Sequence, residues 1–369
     1  MFKQVVILCL IGTLTVSCIS RKQQQRSNDE LTMLIGTSAD TIRGLYTFHF
    51  NMETGEATPL SEIKTPYPTY LTFSANNEFV YAVSEYGNKR SAVFAYAFDK
   101  EKGDLRLLNT EPTIGIDPCY ITTVGKTVIT ANYTSGNISV FPLQEDGSLL
   151  PLSSLIPFQG SGAIKGRQDT PHIHCVHLTP DEKYLFATDL GTDKIHKFNI
   201  NTDSLTFGEP EAFLLPAGSG PRHLTFTQDG KYAYLINELS GTVMAFTYAD
   251  GMLDEIQTIA ADTLNAQGSA DIHISPDGKF LYASNRSKAD GIAIFKIEAN
   301  GTLTKAGYQL TGIHPRNFNI TPNGKFLLVA CRNSNTIQLF ERDKDTGLLT
   351  DTERNIAIDK PMCIMFAKQ

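Results

Sequence analysis

Two sets of residues recur at matching positions along this 369-residue chain. Aligned on Asp-Gly-Lys and related turns, one set reads Thr69, His174, Arg222, Ala270 and Arg316. The other reads Glu85, Leu190, Glu238, Arg286 and Arg332, and Asn132, Asp189, His223, Asn237, Asn285, His314 and Asn317 adjoin the two. A guanidinium grips a carboxylate or phosphate through a rigid fork and stabilises an oxyanion as it forms. A His or Glu beside it can act as general acid or base. That combination fits ester or lactone chemistry on an anionic substrate without a covalent intermediate. Charged residues at strand ends are often only solvated. Here the same positions in other copies hold small or apolar residues, which favours a site.

Competing chemistries find little support. No GxSxG nucleophile elbow and no GxGxxG is present, and Gly125-Lys126-Thr127 lacks the upstream glycine of a phosphate loop. The run His172-Ile173-His174-Cys175-Val176-His177 invites a metal. On a strand, His172 and His174 share one face while His177 takes the other, and no carboxylate stands at an obvious ligand spacing. Neither a metal nor a cofactor is expected.

The elements that must position these residues are strands. One unit recurs: a Pro, a short alternating strand, a turn, a second strand, a small or polar break and a third strand. Residues 221–246 read PRHLTFTQDGKYAYLINELSGTVMAF, and 315–340 read PRNFNITPNGKFLLVACRNSNTIQLF. Copies also start at 171 and 270, and weaker ones at Pro68 and Pro118. Later turns such as Asp250-Gly251 and Asn300-Gly301 lead into a short outer strand. Four-stranded units at this spacing imply an all-β, seven-bladed β-propeller of antiparallel blades. Residues 33–60 match only the last three strands of a unit, and Pro361–Phe366 only the first. The C-terminal strand is therefore expected to complete the N-terminal blade and close the ring, which limits exposed sheet edges. In a meander the first strand starts where the second ends, so both residue sets meet at one mouth of the channel.

Composition bounds the remainder. The chain is 41% hydrophobic and 19% charged, with 28 Gly, 17 Pro and a net charge of -7. A nucleic-acid partner is not expected of so acidic a chain. Residues 1–18 read as an export signal: Met1-Phe2-Lys3, an apolar run from Val5 to Val16, then Ser17-Cys18. Leu14-Thr15-Val16-Ser17-Cys18 resembles a bacterial lipobox, with Thr15 where Leu is usual. A lipid on Cys18 would be the one link to a membrane. Residues 19–31 read as a polar tether, and 32–369 as the propeller. The protein is expected in the periplasm or on a membrane as a lipoprotein, and in the cytoplasm if this segment is not a signal. Cys119, Cys175, Cys331 and Cys363 lie in apolar runs and read as buried free thiols; a disulfide stays open. Oligomeric state is not legible.

At these residues the chain resembles the lactonase family of propellers, which includes the propeller-type 6-phosphogluconolactonase and the fungal carboxymuconate-lactonising enzyme. The resemblance spans roughly residues 32–369. It is carried by His174 through Lys194, with Asp189-Leu190-Gly191-Thr192-Asp193, and by Pro221-Arg222-His223, Asn237-Glu238-Leu239 and His314-Pro315-Arg316-Asn317-Phe318. It implies a catalytic set of His174, Arg222, Arg286 and Glu238, with His174 or Glu238 as the base. Arg316, Arg332, His223, His172 and Asn237 are candidate substrate contacts, the first two for a phosphate. The implied substrate is a small anionic lactone or sugar acid, opened as by 6-phosphogluconolactonase. An export signal argues against a cytoplasmic sugar phosphate and for another lactone or sugar-acid enzyme, lactonising ones included. A non-catalytic propeller that binds sugar acids or proteins would share the fold.

Overall fold

The computed structural model describes residues 29–39, 44–201 and 206–367. The export segment with Cys18, and most of the expected tether, lie outside the described residues. Seven antiparallel sheets form a ring. Their innermost strands neighbour one another in chain order, and the last, Pro315–Ile320, meets Pro361–Phe366. Blade 1 combines Pro361–Phe366 with Glu30–Thr37, Leu45–Asn51 and Ala57–Ile63. Met33 pairs with Phe366 and Ile35 with Ile364, the expected closure. The first strand starts at Glu30, inside the stretch read as tether. Leu31 is buried, and the Glu30 carboxylate accepts from Asn51 Nδ2 at 2.7 Å, which holds the strand end.

The second strand of each blade is sandwiched between neighbouring blades. Thr127–Asn132, Phe280–Asn285 and Phe326–Cys331 are buried along their whole length. Outer strands such as Met252–Ala260 alternate between covered and exposed residues. Most apolar contact is therefore between blades. Tyr282, Ile292 and Ile294 of blade 6 pack on Phe318, Leu327, Val329 and Phe340 of blade 7. Leu31, Phe48 and Phe50 of blade 1 pack on Phe326, Leu328 and Leu339 of the same blade 7. Each large side chain buried this way contributes roughly 1.5–3 kcal/mol. In blade 4 the outer position is split between Thr206–Phe207 and Glu211–Leu214, both paired with Lys194–Asn201. Pro210, which has no N–H to donate, falls between the two pieces.

A repeated contact latches one blade to the next. Tyr81, Tyr234 and Tyr282 donate to the carbonyls of Gly147, Gly301 and Gly347, at 3.0, 3.0 and 2.8 Å. Gly301 and Gly347 lie at φ 80° and 74°, and a Cβ there would stand 2.2 and 2.3 Å from the rings of Tyr232 and Phe280. Only glycine allows both that conformation and that approach. Tyr282→Phe removes one latch and leaves a carbonyl without its donor. The expected loss is about 1 kcal/mol of unfolding free energy, measured by urea titration.

Candidate active site

The innermost strands share an irregularity that builds the site. In blades 1 and 3 to 7 each pairs regularly with its second strand except near the start, where one residue is left over, while Leu71–Phe73 of blade 2 pairs without a shift. The extra residues are Cys119, His174, Arg222, Ala270 and Arg316 in blades 3 to 7. In blade 1 it is Met362. A β-bulge frees its residue from the alternation of the strand and re-aims the side chain, here at the channel mouth. Just past the end of each second strand, one N–H bonds back to the entry of its innermost strand. Those residues are Ser38, Glu85, Tyr133, Leu190, Glu238, Arg286 and Arg332. The two sequence columns are thus two concentric rings at one mouth.

Three guanidinium groups converge on Glu238. Arg222 Nε stands 2.9 Å and Arg286 Nη2 3.0 Å from Oε2, and Arg167 Nη2 stands 2.7 Å from Oε1. Backbone carbonyls hold the same guanidiniums from behind. Arg222 Nη1 donates to Ala270 O at 2.6 Å, and Arg286 Nε to Gly268 O at 2.8 Å. Arg222 is 1% and Glu238 8% exposed, so water screens these charges little. Burial alone would raise the Glu238 pKa, but Arg286, Arg222 and Arg167 outweigh it and hold the carboxyl at about 2.

A second buried chain supports Arg222. His223 Nε2 lies 3.2 Å from Arg222 Nη1, and its Nδ1 lies 2.7 Å from Asp271 Oδ1. A guanidinium can only donate, so Nε2 accepts and Nδ1–H donates to Asp271. Burial and Arg222 lower the His223 pKa to about 4 against the pull of Asp271, and the ring is neutral at pH 7. His174, 3% exposed, lies edge-on to the rings of Tyr133 and His223. Burial, Arg222, His223 and Arg316 push its pKa well below 6.5, so it too is neutral. A cavity of about 230 Å³ lies against this cluster, lined by Glu85, Cys119, Tyr133, His174, Glu238 and Arg316.

The structure brings together His174, Arg222, Glu238, Arg286 and Arg316. His223 stands behind Arg222 rather than on the cavity wall. His172 donates from Nδ1–H to Tyr133 O at 2.9 Å, with its ring stacked on Tyr133 and outside the cavity lining. Asn237 reaches Thr242 Oγ1 at 3.1 Å within its own blade. Arg332 turns to Ser38 Oγ at 2.9 Å and Asn333 Oδ1 at 3.0 Å, because blade 1 offers it a hydroxyl at that height. His177 bonds the carbonyl of Leu178, and no group of three or more potential metal ligands stands together among the described residues. The four cysteines of the propeller are buried and free.

Sequence reasoning missed Arg167, Tyr133, Cys119 and Asp271 as parts of the site. Cys119 and Tyr133 follow from extending both columns to the weak copy at Pro118. Arg167 has only one signal, the long stretch 158–172 between the outer strand of blade 3 and the inner strand of blade 4. Gln168, fully buried, pins this stretch by donating to Leu190 O at 2.8 Å and Asp193 Oδ1 at 2.7 Å.

Fold and site together define a seven-bladed propeller with a buried arginine–carboxylate cluster facing a small cavity at one channel mouth. The profile of a family described as lactonase, 7-bladed beta-propeller, matches residues 32–366. The chain belongs to this lactonase family, and so to the lactone hydrolases. It is 40% identical over 341 residues to a 6-phosphogluconolactonase of Formosa agariphila, covering 89% of this chain and 97% of that one. It is 37% identical to the 6-phosphogluconolactonase of Bacillus subtilis, covering 88% and 95%. Among solved structures, a candidate 6-phosphogluconolactonase of Bacteroides fragilis superposes with a TM-score of 0.91 at 63% identity, covering 93% and 99%. The periplasmic gluconolactonase of Pseudomonas aeruginosa superposes with a TM-score of 0.86 at 31% identity, covering 92% and 99%.

Proposed function

We propose that this protein hydrolyses an anionic sugar lactone, with 6-phosphogluconolactone as the leading substrate. The observation that carries this reading is the charge of the mouth. Four guanidinium groups stand against two carboxylates here: Arg316 lines the small cavity with Glu85 and Glu238, and Arg167, Arg222 and Arg286 are paired to Glu238 on its wall. An excess of fixed positive charge in a poorly screened site suits an anionic substrate and the oxyanion of a tetrahedral intermediate. Water adds to the lactone carbonyl, Arg222 and Arg286 hold the oxygen that gains charge, and the ring C–O bond then breaks. Glu238 serves as the anchor of the guanidiniums. Its oxygens are occupied by three ion pairs, and a carboxylate held at a pKa of about 2 is a poor proton acceptor at neutral pH. The neutral ring of His174 is available to hydrogen-bond the substrate.

A second reading concerns location and substrate. The N-terminal residues 1–18 read as an export signal, and one similar structure is a periplasmic gluconolactonase. Under this reading the protein works outside the cytoplasm on an unphosphorylated sugar lactone, anchored through Cys18. Mass spectrometry of the native N-terminus tests the anchor. Purified protein assayed against 6-phosphogluconolactone and glucono-lactone, each above its spontaneous hydrolysis, tests the activity. Hydrolysis of the phosphorylated lactone with a higher kcat/KM supports the leading reading; preference for the other supports the second. Tight sugar-acid binding with no turnover of any lactone would mean a binding protein instead.

A further inference from the structure

Glu85 and Glu238 hold the same position in blades 2 and 5. Three steps apart in a ring of seven, the two blades lie on opposite sides of the channel, and both carboxylates line the same cavity. Their surroundings differ sharply. Glu238 is saturated by three guanidinium donors. Glu85 meets one guanidinium, with Arg316 Nη2 3.7 Å from its Oε1, beyond hydrogen-bonding distance. Its Oε2 is buried and has no hydrogen-bond partner among the described residues. A buried carboxylate oxygen without a donor is an unusual arrangement that asks for a partner. Here the space beside it is the cavity, which a water or a substrate hydroxyl can enter.

Resting on the lactonase reading above, we infer that Glu85 is the general base that takes the proton from the attacking water. The other groups on the cavity wall fit this role less well. Glu238 has no oxygen to spare. A protonated His174 would form an imidazolium among Arg222, His223 and Arg316. The Cys119 thiol is kept protonated by burial and by the charge of Glu85 itself. With Glu85 opposite Glu238, water is activated on one side of the cavity while the oxyanion develops toward the arginines on the other. The water oxygen bonds to the carbonyl carbon as its proton passes to Glu85. Collapse of the intermediate breaks the bond from that carbon to the ring oxygen, and Glu85 returns the proton to the leaving oxygen. The product is an open-chain acid, which loses its proton to solvent.

The test compares wild type, Glu85→Gln and Glu85→Ala on whichever lactone the wild type hydrolyses fastest, with and without added formate. Glu85→Gln is expected to lose about 10²–10⁴-fold in kcat with KM within about threefold. Formate is expected to restore at least about tenfold of the Glu85→Ala rate, because a small carboxylate can occupy the vacated space and act as base. A merely structural role for Glu85 would not respond to formate. An active wild type with Glu85→Gln within about fivefold of it overturns the inference and leaves the lactonase reading standing. A wild type that turns over no lactone overturns both. Glu85→Gln keeps the size and the partly buried position of the side chain, so it discriminates even if Glu85→Ala fails to fold.

Discussion

Arg222→Met is expected to lower kcat for lactone hydrolysis by about 10²–10³-fold, the loss seen when one preorganised oxyanion donor is removed. Methionine fills much of the volume of the arginine and leaves Glu238 with Arg286 and Arg167, so the effect on folding should be the smaller one. Arg222 is almost fully buried and fixed by Glu238, by the carbonyl of Ala270 and by His223. Its charge therefore needs no reorganisation when the oxyanion forms. Arg332→Ala is the contrasting variant. Arg332 spends its donors on Ser38 and Asn333 and takes no part in the ion pairs around Glu238. Its kcat and KM are expected within about twofold of wild type. Steady-state kinetics of the two variants on one lactone decide the matter. Equal losses in both would mean that the guanidiniums act through net charge rather than through position.

Acid should unfold this protein early, and the expected size of the effect is several kcal/mol. His223 is buried neutral with a pKa lowered from 6.5 to about 4. Below pH 6.5 the unfolded chain takes up a proton there that the folded chain refuses, so stability falls with pH until the folded group titrates. That range is worth about 3 kcal/mol at 1.36 kcal/mol per pKa unit. His174 works in the same direction. Glu238 then adds its part: its stabilisation is fully present above pH 4.5 and is lost as pH falls toward its folded value of about 2, about another 3 kcal/mol. Asp271, held well below 3.8 by His273 and His223 despite its burial, shares that sign. Urea titrations from pH 8 to pH 4 should show a midpoint that is level above pH 7 and declines steadily below 6.5. A midpoint flat down to pH 4.5 would contradict the buried neutral histidines. The same groups imply that activity lost between pH 6.5 and 5 can be lost through the fold, so kinetics in that range need a stability control.

The propeller was legible in the sequence because a repeat reports its own geometry. Strands that alternate, turns at Asp-Gly and Asn-Gly, and a half-unit at each end leave few ways to bury seven apolar faces other than in a closed ring. That Pro361–Phe366 pairs with the strand through Met33–Ile35 follows from that count, and the register, Ile35 opposite Ile364, is set by the structure. Alignment of the copies also placed His174, Arg222, Glu238, Arg286 and Arg316 at one mouth, since equivalent positions of equivalent blades lie at equal height. What the chain itself determined is thus everything that repeats.

Only the tertiary structure decided what does not repeat. Arg167 comes from the stretch 158–172, which has no counterpart in the other units, and reaches Glu238 across 71 residues of sequence. The columns could not tell that Glu238 is saturated while Glu85, in the same column, has an oxygen without a partner. Nor could they tell that Arg332 turns to blade 1 while Arg316 stays on the cavity. Alignment fixes the height and the ring of a residue. Its partners come from neighbouring blades with different side chains, and burial makes those few contacts decide each charge.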